Sequence, residues 1–92
     1  MDSGVNSFAK LLISTYSKLP SADDTPCDYP CSDHASWFKF GYPTTMLYEA
    51  ITGDDNTNIH KPGDTTAVNG FSWTHTLEFA KVGLAFVYEL SV

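Results

Sequence analysis

The sequence predicts an α/β chain in which helices surround one or two strands. Two long segments with apolar residues at three- and four-residue spacing flank a short segment that is β-branched at its start. One or two strands cannot form a sheet that closes its own core. We therefore expect the 92 residues to form part of a larger layered α/β domain.

The first segment predicts a helix over residues 5–19. Apolar side chains recur on one face of this segment, and Asp2 or Ser3 can cap its start. Pro20 cannot continue a helix, so the sequence places the end of the helix just before it. We expect this helix to pack its apolar face on the rest of the domain.

The middle of the chain predicts a short helix and then a strand. Residues 32–40 have Ser32 or Asp33 as N-cap candidates, and Gly41 stands where a helix commonly ends. Residues 44–49 begin with two threonines and end in a tyrosine and a glutamate, which indicates a buried strand. The polar segments on either side of this region indicate loops.

The last segment predicts a long helix over residues 74–90. One apolar face contains four residues at helical spacing: Leu77, Ala80, Leu84 and Val87. Three further residues broaden that face: Val82, Ala85 and Phe86. An apolar surface of this breadth predicts burial on more than one side of the helix.

The composition excludes two classes of partner. The chain has five lysines, no arginine and eleven carboxylates, which gives a formal net charge of −6. Nucleic acids and anionic membrane surfaces attract clustered basic side chains, so neither is an expected partner. The longest apolar run, residues 82–88, is too short to span a bilayer.

Two cysteines, Cys27 and Cys31, lie four positions apart. A disulfide across a tight turn, a redox dithiol and a zinc site are all compatible with this spacing. Closely spaced cysteines favour an oxidising compartment, yet residues 1–4 do not resemble the start of a signal peptide. Both observations agree if the chain is the tail of a longer secreted protein.

The histidines alone do not assemble a metal site. His34, His60 and His75 are far apart in the sequence, and three metal ligands with a base cannot be selected from the pattern. The acidic run at residues 54–58 resembles a calcium loop, but Ile59 and Thr65 stand where a glycine and a bidentate glutamate are needed. Neither a phosphate-binding loop nor a serine nucleophile motif occurs in the chain.

Several motifs in combination resemble a known enzyme family. In order, they are C-D-Y-P-C-S-D-H-A-S-W from Cys27, then G-Y-P, a predicted strand that ends in Y-E, I-H-x-x-x-D-T from Ile59, and F-A-K-V-G-L-A-F in the last helix. This set resembles the secreted leucine-type aminopeptidases, which are di-zinc exopeptidases of bacteria and fungi. The resemblance implies that residues 1–92 are the C-terminal part of a three-layer α/β/α zinc-exopeptidase catalytic domain.

The resemblance also implies roles for three polar side chains. His60 matches the terminal histidine ligand of one of the two zinc ions. Tyr29 matches the tyrosine whose hydroxyl polarises the scissile carbonyl, and we expect Asp64 to fix the loop or support the ligand. Zinc is therefore the expected cofactor, with at most one ligand in this chain.

The resemblance further implies a substrate pocket and a disulfide. Tyr48 matches a pocket aromatic, and Ile59 matches an apolar wall for the first side chain of the substrate. Cys27 and Cys31 match the disulfide of the family. A protein with these features is expected to be secreted, or to lie in a vacuole or another extracytoplasmic compartment.

The function implied by the resemblance is zinc-dependent removal of N-terminal residues from peptides. The other metal ligands and the general base of the family do not occur in these 92 residues. We therefore expect the chain to need the missing N-terminal part of the catalytic domain and to be inactive alone. The alternative is a truncated module without catalysis that serves as a disulfide-stapled binding or structural fragment.

Overall fold

The structure is a computed structural model that describes residues 2–22, 29–50 and 54–92. The described residues form three helices: α1 (Ser3–Tyr16), α2 (Asp33–Lys39) and α3 (Trp73–Ser91). Irregular segments and turns connect the helices. The order of the three helices along the chain is the order that the sequence predicts.

Helix α1 begins two residues before the predicted start, after one of the two predicted cap residues, and it ends three residues early. The Asp2 carboxylate caps it by accepting a hydrogen bond of 2.8 Å from the Val5 N–H. The last turn closes at Ser17, where the backbone becomes extended and the Ser17 hydroxyl oxygen accepts a bond from the Leu19 N–H. Serine side chains compete with the helix in this way, so α1 stops before Pro20 exerts any effect.

Helices α2 and α3 agree closely with their predicted bounds. Ser32 occupies the N-cap position of α2, and Gly41 follows that helix with a φ of +88°, in the region that favours glycine. The Ser72 hydroxyl caps α3 by accepting a bond of 3.1 Å from the His75 N–H. Helix α3 extends one residue beyond the prediction at each end.

The core lies where α1 packs against α3. Its centre is formed by Leu12 of α1 with Val82 and Ala85 of α3, all 5% exposed or less. The rings of Phe8 and Phe86 extend this contact, with centroids 5.6 Å apart. Packing between two amphipathic helices thus supplies the main apolar contact of the described chain.

The buried face of α3 is not the one that the sequence analysis placed first. Leu77, Leu84 and Val87 are 54%, 73% and 63% exposed, whereas Val82 and Ala85 are buried against α1. The residues that were expected only to broaden the apolar face therefore form the core contact. The predicted breadth of the apolar surface is present, but only one side of it is covered.

The predicted α/β class is wrong for the described chain. Residues 44–48 are irregular, and no strand occurs in residues 2–22, 29–50 or 54–92. A strand needs a neighbouring strand for its backbone hydrogen bonds, but the Thr44 carbonyl instead accepts one from the Asp2 N–H at the start of α1. The described chain is therefore helical, and it does not form the partial α/β/α sheet that the sequence predicts.

No helix in the described ranges has the length and apolar character needed to cross a bilayer.

Candidate active site

A series of tight turns carries His60 between residues 54 and 70. The Ile59 N–H donates to the Asn56 carbonyl at 3.2 Å, and the Lys61 N–H donates to the Asn58 carbonyl at 2.9 Å. These consecutive turns force His60 into the left-handed region, with a φ of +64°. Few residues other than glycine adopt this conformation, and such backbone outliers occur preferentially at functional sites.

The structure brings together Tyr29 and His60, the two residues with predicted catalytic and metal-binding roles. Their ring centroids are 6.3 Å apart, and the planes meet at 71°, which is an edge-to-face contact. Both side chains are exposed, with Tyr29 at 55%. The phenol and the imidazole therefore face solvent side by side at the surface of the chain.

Cys31 fixes the chain next to Tyr29. Its side chain is 4% exposed. The predicted partner, Cys27, lies outside the described residues, and the Cys27–Cys31 pairing stays a prediction. A buried anchor two residues from Tyr29 limits the positions that its ring can reach.

Tyr48 lies near Tyr29. Burial raises the pKa of the Tyr48 hydroxyl above its ordinary value, and the proximity of Tyr29 and Asp55 adds to this effect. Together with Tyr29 and Glu49, Tyr48 lines a cavity of about 640 Å³. The predicted pocket aromatic thus lines a cavity beside the predicted catalytic tyrosine.

Asn56 connects the His60 loop to the segment that carries Tyr48. Its backbone N–H donates to the Glu49 carboxylate at 2.7 Å, and its side-chain amide donates to the Asp64 carboxylate at 2.7 Å. Its side-chain oxygen also accepts a bond from the Asn58 N–H at 2.9 Å. Two carboxylates and one asparagine therefore hold the turn from which His60 projects.

The sequence analysis missed the part played by Asn56. It weighed the acidic and amide residues at positions 54–58 only as metal ligands. Asparagine commonly bonds to backbone groups two residues along the chain, and this local turn chemistry was the signal that could have identified its role. Glu49 was noted only as part of a motif, yet it fixes the same turn.

Two predicted site residues stand apart from the cavity. Ile59 is half-buried, and His60 is exposed, but neither lines the cavity that Tyr29 and Tyr48 share. The structure therefore places Tyr48, but not Ile59, in a concave surface. The predicted role of Ile59 as a pocket wall stays a prediction.

The donor set for a metal is incomplete within the described chain. Residues 2–22, 29–50 and 54–92 contain no group of three or more His, Cys, Asp or Glu side chains that could hold an ion. His60 is an accessible imidazole and suits zinc as a single ligand. Any metal held here needs further ligands from outside these residues.

Comparison with known proteins identifies relatives over nearly the whole chain. A probable leucine aminopeptidase of Arthroderma otae is 43% identical over 90 residues, which are 98% of this chain and 24% of that protein. Leucine aminopeptidase 1 of Emericella nidulans is 41% identical over 91 residues, or 99% of this chain and 23% of that protein. Leucine aminopeptidase 1 of Penicillium rubens is 38% identical over the same length and with the same coverage.

No family profile and no solved structure matches the chain. The chain spans about a quarter of the length of the three fungal relatives. Nearly the whole chain thus matches a segment of much longer proteins. The chain is therefore similar, over nearly its whole length, to a segment of fungal leucine aminopeptidases.

Proposed function

We propose that this chain is the segment of a zinc-dependent aminopeptidase that contributes one metal ligand and a carbonyl-polarising tyrosine. The complete enzyme removes N-terminal residues from peptides. The observation that carries the proposal is the contact between Tyr29 and His60, whose rings lie 6.3 Å apart although many residues separate them in the sequence. The names of the fungal relatives support the same reaction class.

His60 is suited to bind the metal ion. Its imidazole is exposed and projects from a turn with a left-handed backbone, which holds the ring in a defined direction. A neutral imidazole nitrogen is a common zinc ligand, and the other ligands come from the remainder of the enzyme. Zinc, when bound, supplies Lewis-acid polarisation of the substrate carbonyl and a water of lowered pKa.

Tyr29 is suited to donate a hydrogen bond to the carbonyl oxygen of the scissile bond. Its hydroxyl lies on a ring that contacts His60 and is anchored through Cys31. A donor fixed before the reaction stabilises the developing oxyanion without reorganisation. Tyr48 lines the adjacent cavity. We expect the half-buried Ile59, which lies outside that cavity, to add an apolar surface for the first side chain of the substrate.

Asp64 acts through the loop. Its carboxylate accepts the Asn56 amide, and Asn56 also binds Glu49, so the turn that carries His60 is held from two sides. Groups that orient a metal ligand in this way commonly change metal affinity when they are removed. Asp64 is therefore a positioning residue that does not contact the substrate.

We also propose a disulfide between Cys27 and Cys31 and an extracytoplasmic location for the enzyme. Cys31 is buried, and Cys27 is the second of the two cysteines in the chain. A Cys27–Cys31 bridge fits a secreted or otherwise extracytoplasmic enzyme. Peptide mapping without reduction is expected to recover both cysteines in one bridged peptide, and two alkylatable thiols would contradict this pairing.

The test uses a chimera in which this chain replaces the matching 90 residues of the Arthroderma otae relative. His60→Ala should lower the zinc content, because it removes a ligand. Tyr29→Phe should retain zinc but lower kcat by roughly 10²–10³-fold, the usual cost of one oxyanion donor. Zinc is measured by elemental analysis, and turnover is measured with a leucyl anilide.

Two matched variants control for nonspecific effects. Tyr42→Phe removes a hydroxyl from a tyrosine of nearly the same exposure, 54%, and Lys61→Ala alters the neighbour of His60 in the same turn. Both should leave zinc content and kcat close to those of the parent chimera. Unchanged zinc content in His60→Ala, or unchanged kcat in Tyr29→Phe, contradicts the assigned role.

A further inference from the structure

Two adjoining cavities lie among the three helices. The larger, of about 640 Å³, extends between α1, α2, the start of α3 and residues 45–50. The smaller, of about 380 Å³, is lined by parts of all three helices and by residues 43–45 and 47. The two cavities share part of their lining: Ala9, His34, Thr45, Leu47 and Val82. They therefore adjoin each other between the helices and the irregular segment, and together they are called the seam.

Buried polar atoms without partners line this seam. Within the described ranges, four buried side-chain atoms have no hydrogen-bond partner: Asn6 Oδ1, His34 Nδ1, Thr44 Oγ1 and Glu78 Oε2. All four residues line one or both cavities. Native interiors rarely leave such groups unsatisfied, and their concentration in one place indicates that partners come from outside the described chain.

Glu78 is the most informative of the four residues. It is 6% exposed although it is charged, and Lys81 binds only its Oε1 atom, at 3.2 Å. An ionised carboxylate accepts hydrogen bonds and does not donate them. The missing partner of Glu78 Oε2 must therefore be a donor, which is an N–H or an O–H group.

The chain also exposes more surface than a compact, independently folded domain of the same size. Its accessible area is 6888 Å², whereas a compact monomer of the same mass exposes about 5,300 Å². Its radius of gyration is 13.9 Å, compared with about 12 Å for a compact domain of this length. The surplus of about 1,600 Å² is twice the roughly 800 Å² that each partner buries in a standard protein interface.

We propose that the seam is the binding surface for the remainder of the enzyme. Its occupant is a mainly apolar segment that carries hydrogen-bond donors, and one of those donors binds Glu78 Oε2. The fungal relatives support this occupant, because a segment matching 98% of this chain is 24% of their length. The proposal rests on the similarity to the fungal aminopeptidases and does not depend on the roles proposed for Tyr29 and His60.

The first test replaces Glu78 by leucine in the isolated chain and in the chimera. In the isolated chain, Glu78→Leu removes a buried carboxylate whose Oε2 atom has no partner and whose Oε1 atom binds only Lys81, so the Tm should stay the same or rise. In the chimera, the same change leaves a donor without its acceptor, so the Tm should fall by at least about 2 °C. A change in Tm of opposite sign in the two proteins is not expected if Glu78 interacts only with residues of this chain.

Glu89→Leu is the matched control on the same helix. The Glu89 carboxylate binds the Tyr16 hydroxyl within the chain, so its replacement should shift the Tm in the same direction in both proteins. Lowering of the Tm of the isolated chain by Glu78→Leu would overturn the proposal. A chimera that does not fold would also count against it, since the seam should accept the remainder of a close relative.

The second test measures solvent access by hydroxyl-radical labelling. Met46 lines the larger cavity, and Phe40 is 76% exposed and lines neither cavity. Met46, normalised to Phe40, should be labelled several-fold less in the chimera than in the isolated chain. If the isolated chain shows no cooperative thermal transition, the labelling of Met46 takes the place of the Tm as the test of the proposal.

Two labelling results would overturn the proposal. Equal labelling of Met46 in both proteins would mean that the remainder of the enzyme does not fill the seam. Protection of Met46 in the isolated chain that increases with protein concentration would mean that a second copy fills it. Neither readout involves zinc or turnover, so failure here is distinguishable from failure of the catalytic roles.

Discussion

The α1–α3 pair and the turn that carries His60 are stabilised by different interactions. The helix pair buries Leu12, Val82 and Ala85 in a continuous apolar contact. The His60 turn is instead held by exposed hydrogen bonds from Asn56 to two carboxylates. Apolar burial dominates the stability of a domain, whereas exposed polar bonds contribute modestly to stability but strongly constrain geometry.

This difference separates stability from function in the chain. Substitutions in the helix pair should change the free energy of unfolding, and substitutions in the turn should change the position of His60 at nearly constant stability. The cavity beside Tyr48 is lined by α1, α3 and residues 45–50, and Glu49 of that last segment bonds to the His60 turn through the Asn56 N–H. The following substitutions test whether the separation holds.

The largest expected effect is on the helix pair. Leu12 is 2% exposed at the centre of the core, and Leu12→Ala should lower the free energy of unfolding by about 2–5 kcal/mol. Leu11 is 59% exposed on the same helix, so Leu11→Ala should change stability by less than about 0.5 kcal/mol. Urea unfolding followed by circular dichroism measures both. Equal effects of the two changes would show that α1 does not pack as described.

An intermediate effect is expected in the turn. Asn56→Ala removes the bonds to Asp64 and to the Asn58 N–H, which should speed amide hydrogen exchange in residues 58–64 while the Tm of the helices stays constant. In the chimera, zinc affinity should fall by roughly 10-fold, as is usual when the support of a ligand is lost. Asn69→Ala, at another exposed loop position, is the control. A loss of helical stability in Asn56→Ala would show that the two regions are not separable.

The smallest expected effect is a pH dependence above pH 10. Burial raises the pKa of Tyr48, and the hydrogen bond to Glu89 raises that of Tyr16, above the ordinary value of 10.0. The unfolded chain therefore loses these protons first, so the free energy of unfolding should decrease as the pH rises above about 10. Tyr48→Phe and Tyr16→Phe should each reduce this decrease. If the free energy of unfolding depended on pH in the same way in both variants as in the parent chain, the burial of Tyr48 and the hydrogen bond of Tyr16 would not raise their pKa values.

The sequence predicted the helices well because local signals determine their ends. Asp2, one of the two predicted cap residues, caps α1 through its side chain, and Gly41 follows α2 with the positive φ that glycine allows. The early end of α1 depends on competition by the Ser17 hydroxyl, which is a weaker and less specific signal. Local chemistry thus gave the helices to within a few residues.

Features that depend on distant partners were not predictable in the same way. Residues 44–49 have the composition of a strand, but Thr44 pairs with Asp2 at the start of α1 instead of with another strand. The burial of Glu78 could not be inferred from a pattern in which charged residues are expected at the surface. The contact between Tyr29 and His60 was expected only through the resemblance, since nothing in their spacing brings them together.

Tyr29 and His60 are proposed to form an incomplete site that the remainder of the enzyme completes. This proposal is tested by release of a chromophore from a leucyl anilide, with added zinc, by the isolated chain, the chimera and the chimera with His60→Ala. We expect no turnover above background by the isolated chain, since the described residues contain no group of three or more ligands for a metal. We also expect turnover by the chimera and its loss in His60→Ala. Turnover by the isolated chain, or full activity of the chimera without His60, would show that the site is not the one proposed.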